Sequence, residues 1–451
     1  MFAYDPVLFS RMLTGLTLIV HIVYATIGVG VPVMIALAEW IGIKRNDPYY
    51  LLMARRWARG FTVTVAVGVV TGTAIGLQLN LLWPNFMRVA GQAIALPLFM
   101  ETFAFFIEAI FLGIYLYTWD RFKNRYLHFW LLIPVAAGSC ASAFFITTVN
   151  AFMNAPQGFD LIDGKMENID PIFAMFNPAM PTKVGHVLVT AYVTVSFCLG
   201  AIAALAMLRG RRHVYFKKCL RLTMVCALVF SLASTLIGDL SGKYLHAYQP
   251  EKLAAAEWHF ETTDKAPLII GGMLTDDHDV RFAIKIPFAL SILAGGTPGT
   301  VVMGLDDVPQ DHYPPLRTTH YLFDLMVFLG MYLLLVAVWY FIADIRNRKQ
   351  GVPIHKILLM GVVLGAPFSV MAIESGWIFS EIGRQPWILW GVMRTAEGAT
   401  TSPHVDTMLW LFAVLYLVLT ITSARILIRM FKLNPVEEEI ASLGLEGGPA
   451  S

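Results

Sequence analysis

Residues 357–380 read ILLMGVVLGAPFSVMAIESGWIFS, and Glu374 is the only charged residue among them. A helix crosses the hydrocarbon core of a bilayer with about 20 mostly apolar residues, so this stretch is long enough to span a membrane. Only helices and closed barrels satisfy their backbone polar groups in lipid, and the stretch is about twice as long as a barrel strand. It therefore predicts a transmembrane helix with one carboxylate inside it.

The same apolar pattern recurs along the whole chain. The candidate spans are 13–38, 60–82, 94–119, 129–150, 184–208, 222–240, 320–343, 357–380 and 407–428. Hydrophobic residues make up 57% of the chain and charged residues only 14%, against roughly 25% charged residues in a soluble domain. We expect an all-α integral membrane protein, a bundle of about nine transmembrane helices in contact with lipid. The net charge of +2 gives no indication of a nucleic-acid partner, and none is expected.

Basic residues concentrate in every second loop between these runs. They cluster in 39–59, 120–128, 209–221 and 344–356, whereas the intervening loops are poor in Lys and Arg for their length. Cytoplasmic loops of membrane proteins carry the excess of basic residues. The pattern predicts that the N-terminus faces outside and that the C-terminus faces the cytoplasm.

These runs divide the chain into four segments. They are spans one to six in 1–240, an outer loop in 241–318, spans seven to nine in 319–430 and a cytoplasmic tail in 431–451. A loop as long as the outer one is usually either functional or disordered. Its stretch from Lys252 to Glu261 has the composition of a short helix, which favours a functional loop.

Four side chains in the outer half of the predicted bundle need an explanation: His21, His186, Met326 and Glu381. An ionised side chain in the bilayer costs ~3 kcal/mol or more, and imidazole, thioether and carboxylate groups are ligands or proton carriers for metal cofactors. Each has a simpler explanation alone, since a histidine can bond neighbouring helices, a methionine can fill a core and a carboxylate can lie at a solvated rim. Their similar depth favours a shared cofactor site.

Glu101 and Glu108 lie seven residues apart in the third run, so they share one face of a helix about two turns apart. Two carboxylates along one face predict a proton relay, with Glu101 nearer the outer site. The alternative is a hydrogen-bonded pair that serves helix packing. Glu374 precedes Glu381 by the same interval, and its role is left open.

Glu381 is followed directly by the stretch Ile-Gly-Arg-Gln-Pro-Trp at 382–387. Further motifs occur in order along almost the whole chain: VVTGT at 69–73, METFAFFIE at 100–108, KVGH at 183–186, GDLSG at 238–242 and QPEKLAAAEW at 249–258. In these residues the chain resembles subunit I of cytochrome bd-type quinol oxidases, in the branch of the family with a short quinol-binding loop.

The resemblance implies a set of haem ligands. His186 and Met326 would bind the iron of a low-spin haem b close to the quinol loop. His21 and Glu381 would each bind the iron of one of two high-spin haems. One of these would be a second haem b and the other haem d, which some relatives replace by haem b. The resemblance does not assign which ligand serves which of the two.

The resemblance also implies the remaining site residues. They are Lys252 and Glu257 for quinol binding and oxidation, Glu101 and Glu108 for proton transfer, and Trp377 and Arg384 for packing against the haems or neutralising them. One departure concerns Asp324, which stands where some relatives have an arginine. This departure weakens any assignment of a haem-propionate partner at that position.

The function implied is that of a terminal oxidase subunit in the bacterial cytoplasmic membrane. It would oxidise quinol at the outer face, reduce dioxygen to water at a high-spin dihaem site and generate a proton motive force without pumping. Expected partners are a second membrane subunit and a small single-span subunit. Two alternatives come from the residues alone: a quinone-linked b-type cytochrome that anchors a dehydrogenase, and a haem-free proton-coupled transporter. The type of quinol, the content of haem d and the oligomeric state stay open.

Overall fold

The computed structural model describes residues 4–211 and 213–445, and most of them are helical. The helices are α1 (Pro6–Arg45), α2 (Pro48–Leu82), α3 (Pro84–Tyr117), α4 (Arg125–Trp130), α5 (Leu132–Asn154), α6 (Pro171–Met175), α7 (Met180–Leu208), α8 (Val214–Tyr248), α9 (Pro250–Ala256), α10 (Ala289–Gly295), α11 (Leu316–Gln350), α12 (Lys356–Ile382), α13 (Thr395–Gly398), α14 (Val405–Leu433) and α15 (Val436–Ser442). Within the described residues, nine helices are long and apolar enough to cross a membrane. The predicted all-α bundle of about nine spans is confirmed.

Polar caps set where the first two long helices begin and end. The Asp5 side chain accepts hydrogen bonds from the second and third backbone N–H groups of α1, and Pro6 occupies the first helical position. Asn46 ends the helix in the left-handed conformation, with a φ of 49°. Asp47 then caps α2 in the same way as Asp5 caps α1. These polar ends extend α1 well beyond the apolar run at 13–38.

The long helices pack in two neighbouring groups of four. In one group α1 packs on α2 and α5, which both pack on α3; in the other, α8 and α12 each pack against both α7 and α11. α1 joins the groups through α7, while α14 packs on α1 and α2. Glycines allow close approach between helices: a Cβ at Gly138 of α5 would lie 2.9 Å from the Ala104 carbonyl oxygen of α3.

One end of the bundle, here called the loop face, carries the connection between α8 and α11. α8 continues to Tyr248 and α11 begins at Leu316, so the loop is slightly shorter than the predicted 241–318. It contains α9, α10 and a long antiparallel hairpin in which β3 (Leu268–Ile270) pairs with β6 (Ile284–Ile286) and β4 (Met273–Leu274) pairs with β5 (Val280–Arg281). Two more hairpins lie in other loops: β1 (Asp160–Ile162) with β2 (Lys165–Glu167), and β7 (Trp387–Leu389) with β8 (Met393–Arg394). Sequence analysis did not predict these short strands.

The opposite end, here called the tail face, carries the C-terminal helix α15. Val436 and Ile440 of α15 are buried, and Glu439 accepts hydrogen bonds of 2.8 Å from both Arg56 and Arg59 of α2. This helix packs on the bundle because two apolar side chains and one carboxylate point to the same side of it. The first part of the predicted tail is therefore an ordered part of the fold.

Candidate functional site

His186 is the seventh residue of α7 and Met326 the eleventh residue of α11, and both helices begin at the loop face. The His186 Nδ1 atom is buried and has no hydrogen-bond partner among the described residues. The Met326 sulfur lies against Gly376 of α12, where a Cβ would be 2.9 Å away. Cofactor sites in helical bundles are built from side chains on facing helices. An unpaired imidazole and a thioether at one end of such a group are chemically suited to bind a haem iron from two sides.

His21 lies on α1 and is held by a motif on α2. Its Nδ1 is 2.9 Å from the Thr71 hydroxyl, which donates its own hydrogen to the carbonyl oxygens of Val67 and Gly68 at 3.0 and 3.1 Å. When the hydroxyl donates to these carbonyl oxygens, it accepts a hydrogen bond from Nδ1–H, and this tautomer leaves the lone pair of His21 on Nε2. A Cβ at Gly72 would lie 3.1 Å from the imidazole Cε1. Thr71 and Gly72 thus hold the His21 ring in place, and this arrangement fits a metal bond through Nε2. The motif is visible in the sequence, but only the contact with α1 indicates a role for Thr71.

Glu381 is at the last turn of α12, and both of its carboxylate oxygens have partners. Oε2 accepts a hydrogen bond of 2.6 Å from Arg384, and Oε1 accepts one from Asn150 of α5. The predicted haem ligand thus stands in the structure as one half of an ion pair with Arg384. Trp377 lies one turn earlier on α12 and is half-buried. Asn150 was not predicted, because only the fold brings α5 next to Glu381.

Two lysines meet beside this ion pair at Ser380. The Lys183 ammonium donates to the Ser380 hydroxyl and to the Asn150 side-chain oxygen, both at 2.8 Å, and the Lys252 ammonium donates to the Ser380 carbonyl oxygen at 2.9 Å. Burial lowers the pKa of Lys252 well below its usual range, and the neighbouring Lys183 and Arg384 charges lower it further. One Arg384 side-chain nitrogen, Nη1, is buried with no partner among the residues described.

This cluster contains three basic side chains and a single carboxylate. Lys252 and Arg384 are only 4% and 3% exposed, so water screens their charges poorly, and Lys252 keeps its proton only if a counter-charge lies nearby. Buried charges normally require a counter-charge. A haem carries two propionate carboxylates, so the chemistry of the cluster fits the propionate end of such a group. Lys183, which sequence analysis quoted only as part of a motif, belongs to the site.

Glu101 and Glu108 lie on the side of α3 that faces α5, as their spacing predicts. Glu101 accepts a hydrogen bond of 3.0 Å from the Ser142 hydroxyl of α5. Glu108 is 5% exposed, and a Cβ at Gly138 would lie 3.2 Å from its own Cβ. The two carboxyl groups are thus aligned in the contact between α3 and α5, with Glu101 nearer the loop face.

A buried polar cluster contains Tyr115, which lies seven residues after Glu108 on α3. Its hydroxyl donates to a Glu39 oxygen at 2.6 Å, and the other Glu39 oxygen is 2.9 Å from the His128 Nδ1. All three side chains are fully buried near the tail face. Sequence analysis missed the cluster because Glu39 and His128 each lie one residue outside a predicted span.

Glu257 immediately follows α9 in the loop and is completely buried. One carboxyl oxygen accepts a hydrogen bond of 2.9 Å from the Ile269 backbone N–H, while the other, Oε1, has no partner in the described part of the chain. Burial raises the pKa of Glu257 to about 8, although the Ile269 hydrogen bond opposes the shift. A buried carboxyl with one free oxygen and a pKa close to neutral is suited to proton transfer.

Comparisons with known proteins show which family the chain belongs to. A family model described as "Cytochrome bd terminal oxidase subunit I" matches residues 9–435. A solved structure, that of the bd oxidase from Geobacillus thermodenitrificans, is 63% identical, with a TM-score of 0.91 over 96% of this chain and 100% of that chain.

Two curated relatives come from Bacillus subtilis (strain 168). One, provisionally named cytochrome bd menaquinol oxidase subunit I, is 39% identical over 97% of this chain and 99% of its own length. The other, named cytochrome bd ubiquinol oxidase subunit 1, is 30% identical over 94% of this chain and 93% of its own length. With nine apolar helices among the residues described and with these relatives, the chain is a multi-pass protein of the bacterial cytoplasmic membrane. It belongs to the cytochrome bd terminal oxidase subunit I family.

Proposed function

We propose that this chain oxidises quinol at the loop face and, with haems bound inside the bundle, passes the electrons to dioxygen. The observation that carries the proposal is the position of Ser380. Its hydroxyl accepts from Lys183, three residues before His186, and its carbonyl oxygen accepts from Lys252 of the loop. The next residue is Glu381. Ser380 therefore links the loop to α7 and α12, the helices that carry the candidate haem ligands His186 and Glu381.

His186 and Met326 are proposed to hold a low-spin haem b, while His21 and Glu381 each serve one of two high-spin haems, a second haem b and a haem d or its haem b substitute. When bound, a haem with both axial positions filled transfers electrons, whereas one with an open position binds dioxygen. Lys183, Lys252 and Arg384 supply the positive charge for haem carboxylates. Glu381 would hold a haem iron through one oxygen in place of a present partner, and Arg384 would balance its charge.

In quinol oxidation, Glu257 is the proposed proton acceptor and Lys252 a binding residue. Each quinol loses two electrons and two protons and becomes a quinone. The free Oε1 of Glu257 can accept a hydrogen bond from a quinol hydroxyl and then its proton. The protons leave at the loop face. Relatives are named for menaquinol and for ubiquinol, so the proposal extends to the quinol class and not to one member.

Reduction of one dioxygen to two waters consumes four electrons, from two quinols, and four protons. Glu108 and Glu101 are proposed to carry these protons along the contact between α3 and α5. With the loop face outside, protons are released outside and taken up from the cytoplasm. Moving each charge against 100 mV costs ~2.3 kcal/mol, which the redox reaction supplies. The reaction thus generates a proton motive force without a pump.

The family works with a second membrane subunit, and we propose a small single-span subunit as well. Apolar side chains of α3 are exposed along the helix that carries the two carboxylates: Phe99, Phe103, Phe106 and Ile110. In the membrane such a surface is covered by lipid or by another subunit.

Oxygen consumption by the purified complex, with quinol as the only electron donor, tests the proposal. Glu257→Gln should lower the turnover by about 100-fold or more, because it removes a general base, while the haem spectrum stays unchanged. Glu261→Gln is the matched control, since Glu261 lies in the same loop but is exposed. Wild-type turnover in Glu257→Gln would remove Glu257 from the reaction, and an inactive wild-type complex with intact haems would contradict the proposed function.

A further inference from the structure

His320, in the second turn of α11, is completely buried beneath the loop. Its Nδ1 lies 2.6 Å from the Ala256 carbonyl oxygen. Its Nε2 lies 3.2 Å from the Gly271 carbonyl oxygen and 3.3 Å from a carboxylate oxygen of Asp324, one turn further along the helix. The Trp258 ring stacks on the imidazole with 3.8 Å between ring centroids. The ring is therefore held on both edges and on one face.

The two edges of the imidazole contact different parts of the structure. Nδ1 faces the carbonyl oxygen of Ala256 at the end of α9, whereas Nε2 faces the carbonyl oxygen of Gly271 and the Asp324 side chain. A buried polar side chain with partners on both edges holds those partners at fixed positions. The ring therefore links two parts of the loop to α11.

Both carbonyl groups that His320 contacts belong to residues close to Glu257. Ala256 is the residue before Glu257, and Gly271 follows β3, whose Ile269 N–H binds the Glu257 carboxyl. Asp324 adds a third contact, since the same carboxylate oxygen accepts a hydrogen bond of 2.6 Å from the Gly271 N–H. The pair thus fixes the loop on both sides of Glu257.

The same helix carries Met326 two residues after Asp324. We propose that His320 and Asp324 form a clasp that fastens the quinol loop to α11 and positions Glu257 relative to the haem site at Met326. They are positioning residues, because neither needs to contact quinol. This inference rests on the proposed function, in which Glu257 accepts a quinol proton.

The test compares variants of the complete complex. His320→Leu removes the three polar contacts of the ring, Asp324→Ala removes the carboxylate, and Asp324→Asn keeps an oxygen that can accept from Gly271. Tyr321→Phe is the matched control, since the exposed Tyr321 hydroxyl donates a 2.9 Å hydrogen bond to the adjacent Gly272 carbonyl oxygen. The measurements are the KM and kcat for quinol, with haem content read from the spectrum of the reduced complex.

Loss of the clasp should raise the quinol KM about tenfold or more in His320→Leu and Asp324→Ala, less in Asp324→Asn and within about twofold in Tyr321→Phe. A purely structural role would reduce the yield of assembled complex and the activity per milligram, but not the KM of the molecules that assemble.

Trypsin cleavage after Lys265, Arg281 and Lys285 of the loop is the second readout, and it should be faster in Asp324→Asn than in the wild type. Asp324→Asn is the variant closest in shape to the wild type. The proposal is wrong if this variant keeps both the wild-type KM and the wild-type cleavage rate. An inactive wild-type complex would instead contradict the proposed function, so the two failures are distinguishable.

Discussion

The two ends of the bundle differ in how their buried charged side chains are paired. At the tail face each buried charge has a partner of opposite sign or a hydrogen-bonded neighbour, as in Glu39 with His128 and Glu439 with Arg56. At the loop face Lys183, Lys252 and Arg384 share one carboxylate. Charge that is balanced inside the chain holds helices together, whereas an excess of buried charge requires a ligand of the opposite sign. The comparison supports our proposal that haem carboxylates bind at the loop face.

The largest expected effect distinguishes two histidines, one toward each face. His186→Ala should lose the low-spin haem signal and all quinol-driven oxygen consumption, because the haem loses an axial ligand. His128→Gln at the tail face should keep the haem spectrum and lose only stability. Optical spectra of the purified variants measure both. Haem loss in His128→Gln, together with haem retention in His186→Ala, would contradict the assignment of haem binding to the loop face.

Glu108→Gln should slow oxygen reduction by about 100-fold, since an amide cannot carry a proton, while haem content stays at the wild-type value. Glu108→Asp keeps an ionisable group and should recover part of the rate. Stopped-flow measurement of haem reoxidation by dioxygen separates this step from quinol oxidation. Unchanged reoxidation in Glu108→Gln would exclude this residue from the proton route.

The pH dependence of quinol oxidation should follow Glu257. Its pKa is about 8, so the carboxylate that accepts a proton is the minor form at pH 7, and the rate should rise about tenfold per pH unit up to about pH 8 and then level off. Glu257→Gln should lose this dependence, and Glu261→Gln should keep it. Stability has the opposite trend: the folded chain retains a proton that the unfolded chain releases above pH 4.5, so stability falls as the pH rises from 4.5 to about 8.

Thr71→Val should weaken haem retention at the His21 site by about tenfold, because it removes the hydroxyl that fixes the imidazole orientation. Thr71→Ser keeps the hydroxyl and should behave like the wild type. Haem loss to apomyoglobin, followed optically, compares the two. Equal retention in Thr71→Val and Thr71→Ser would show that the hydroxyl does not support the ligand.

The smallest effect is expected at the tail face. Glu439→Gln should lower the free energy of unfolding by about 1 kcal/mol, because it weakens a partly exposed ion pair with Arg56 and Arg59. Oxygen consumption should remain at the wild-type rate. A large loss of activity in this variant would mean that charge at the tail face also serves the reaction.

The sequence predicted the nine spans because long apolar runs admit few alternatives in a bilayer. It did not predict the β3–β6 hairpin or α15, whose short, mixed sequences are ordered by contacts with distant helices. For the site, rare polar residues in apolar runs indicated His21, His186 and Glu101. Their supporting residues were missed, since Ser142 and Asn150 resemble ordinary polar residues until α5 packs beside α3 and α12.

The most direct test of the central claim is a quantitative haem spectrum of the purified wild-type complex, first reduced with quinol and then exposed to air. We expect one low-spin and two high-spin haems per copy of this chain, all reduced by quinol and reoxidised by dioxygen. A complex without a Soret band would contradict haem binding at the loop face. Haems that quinol reduces but dioxygen does not reoxidise would instead indicate a cytochrome that only passes electrons between carriers.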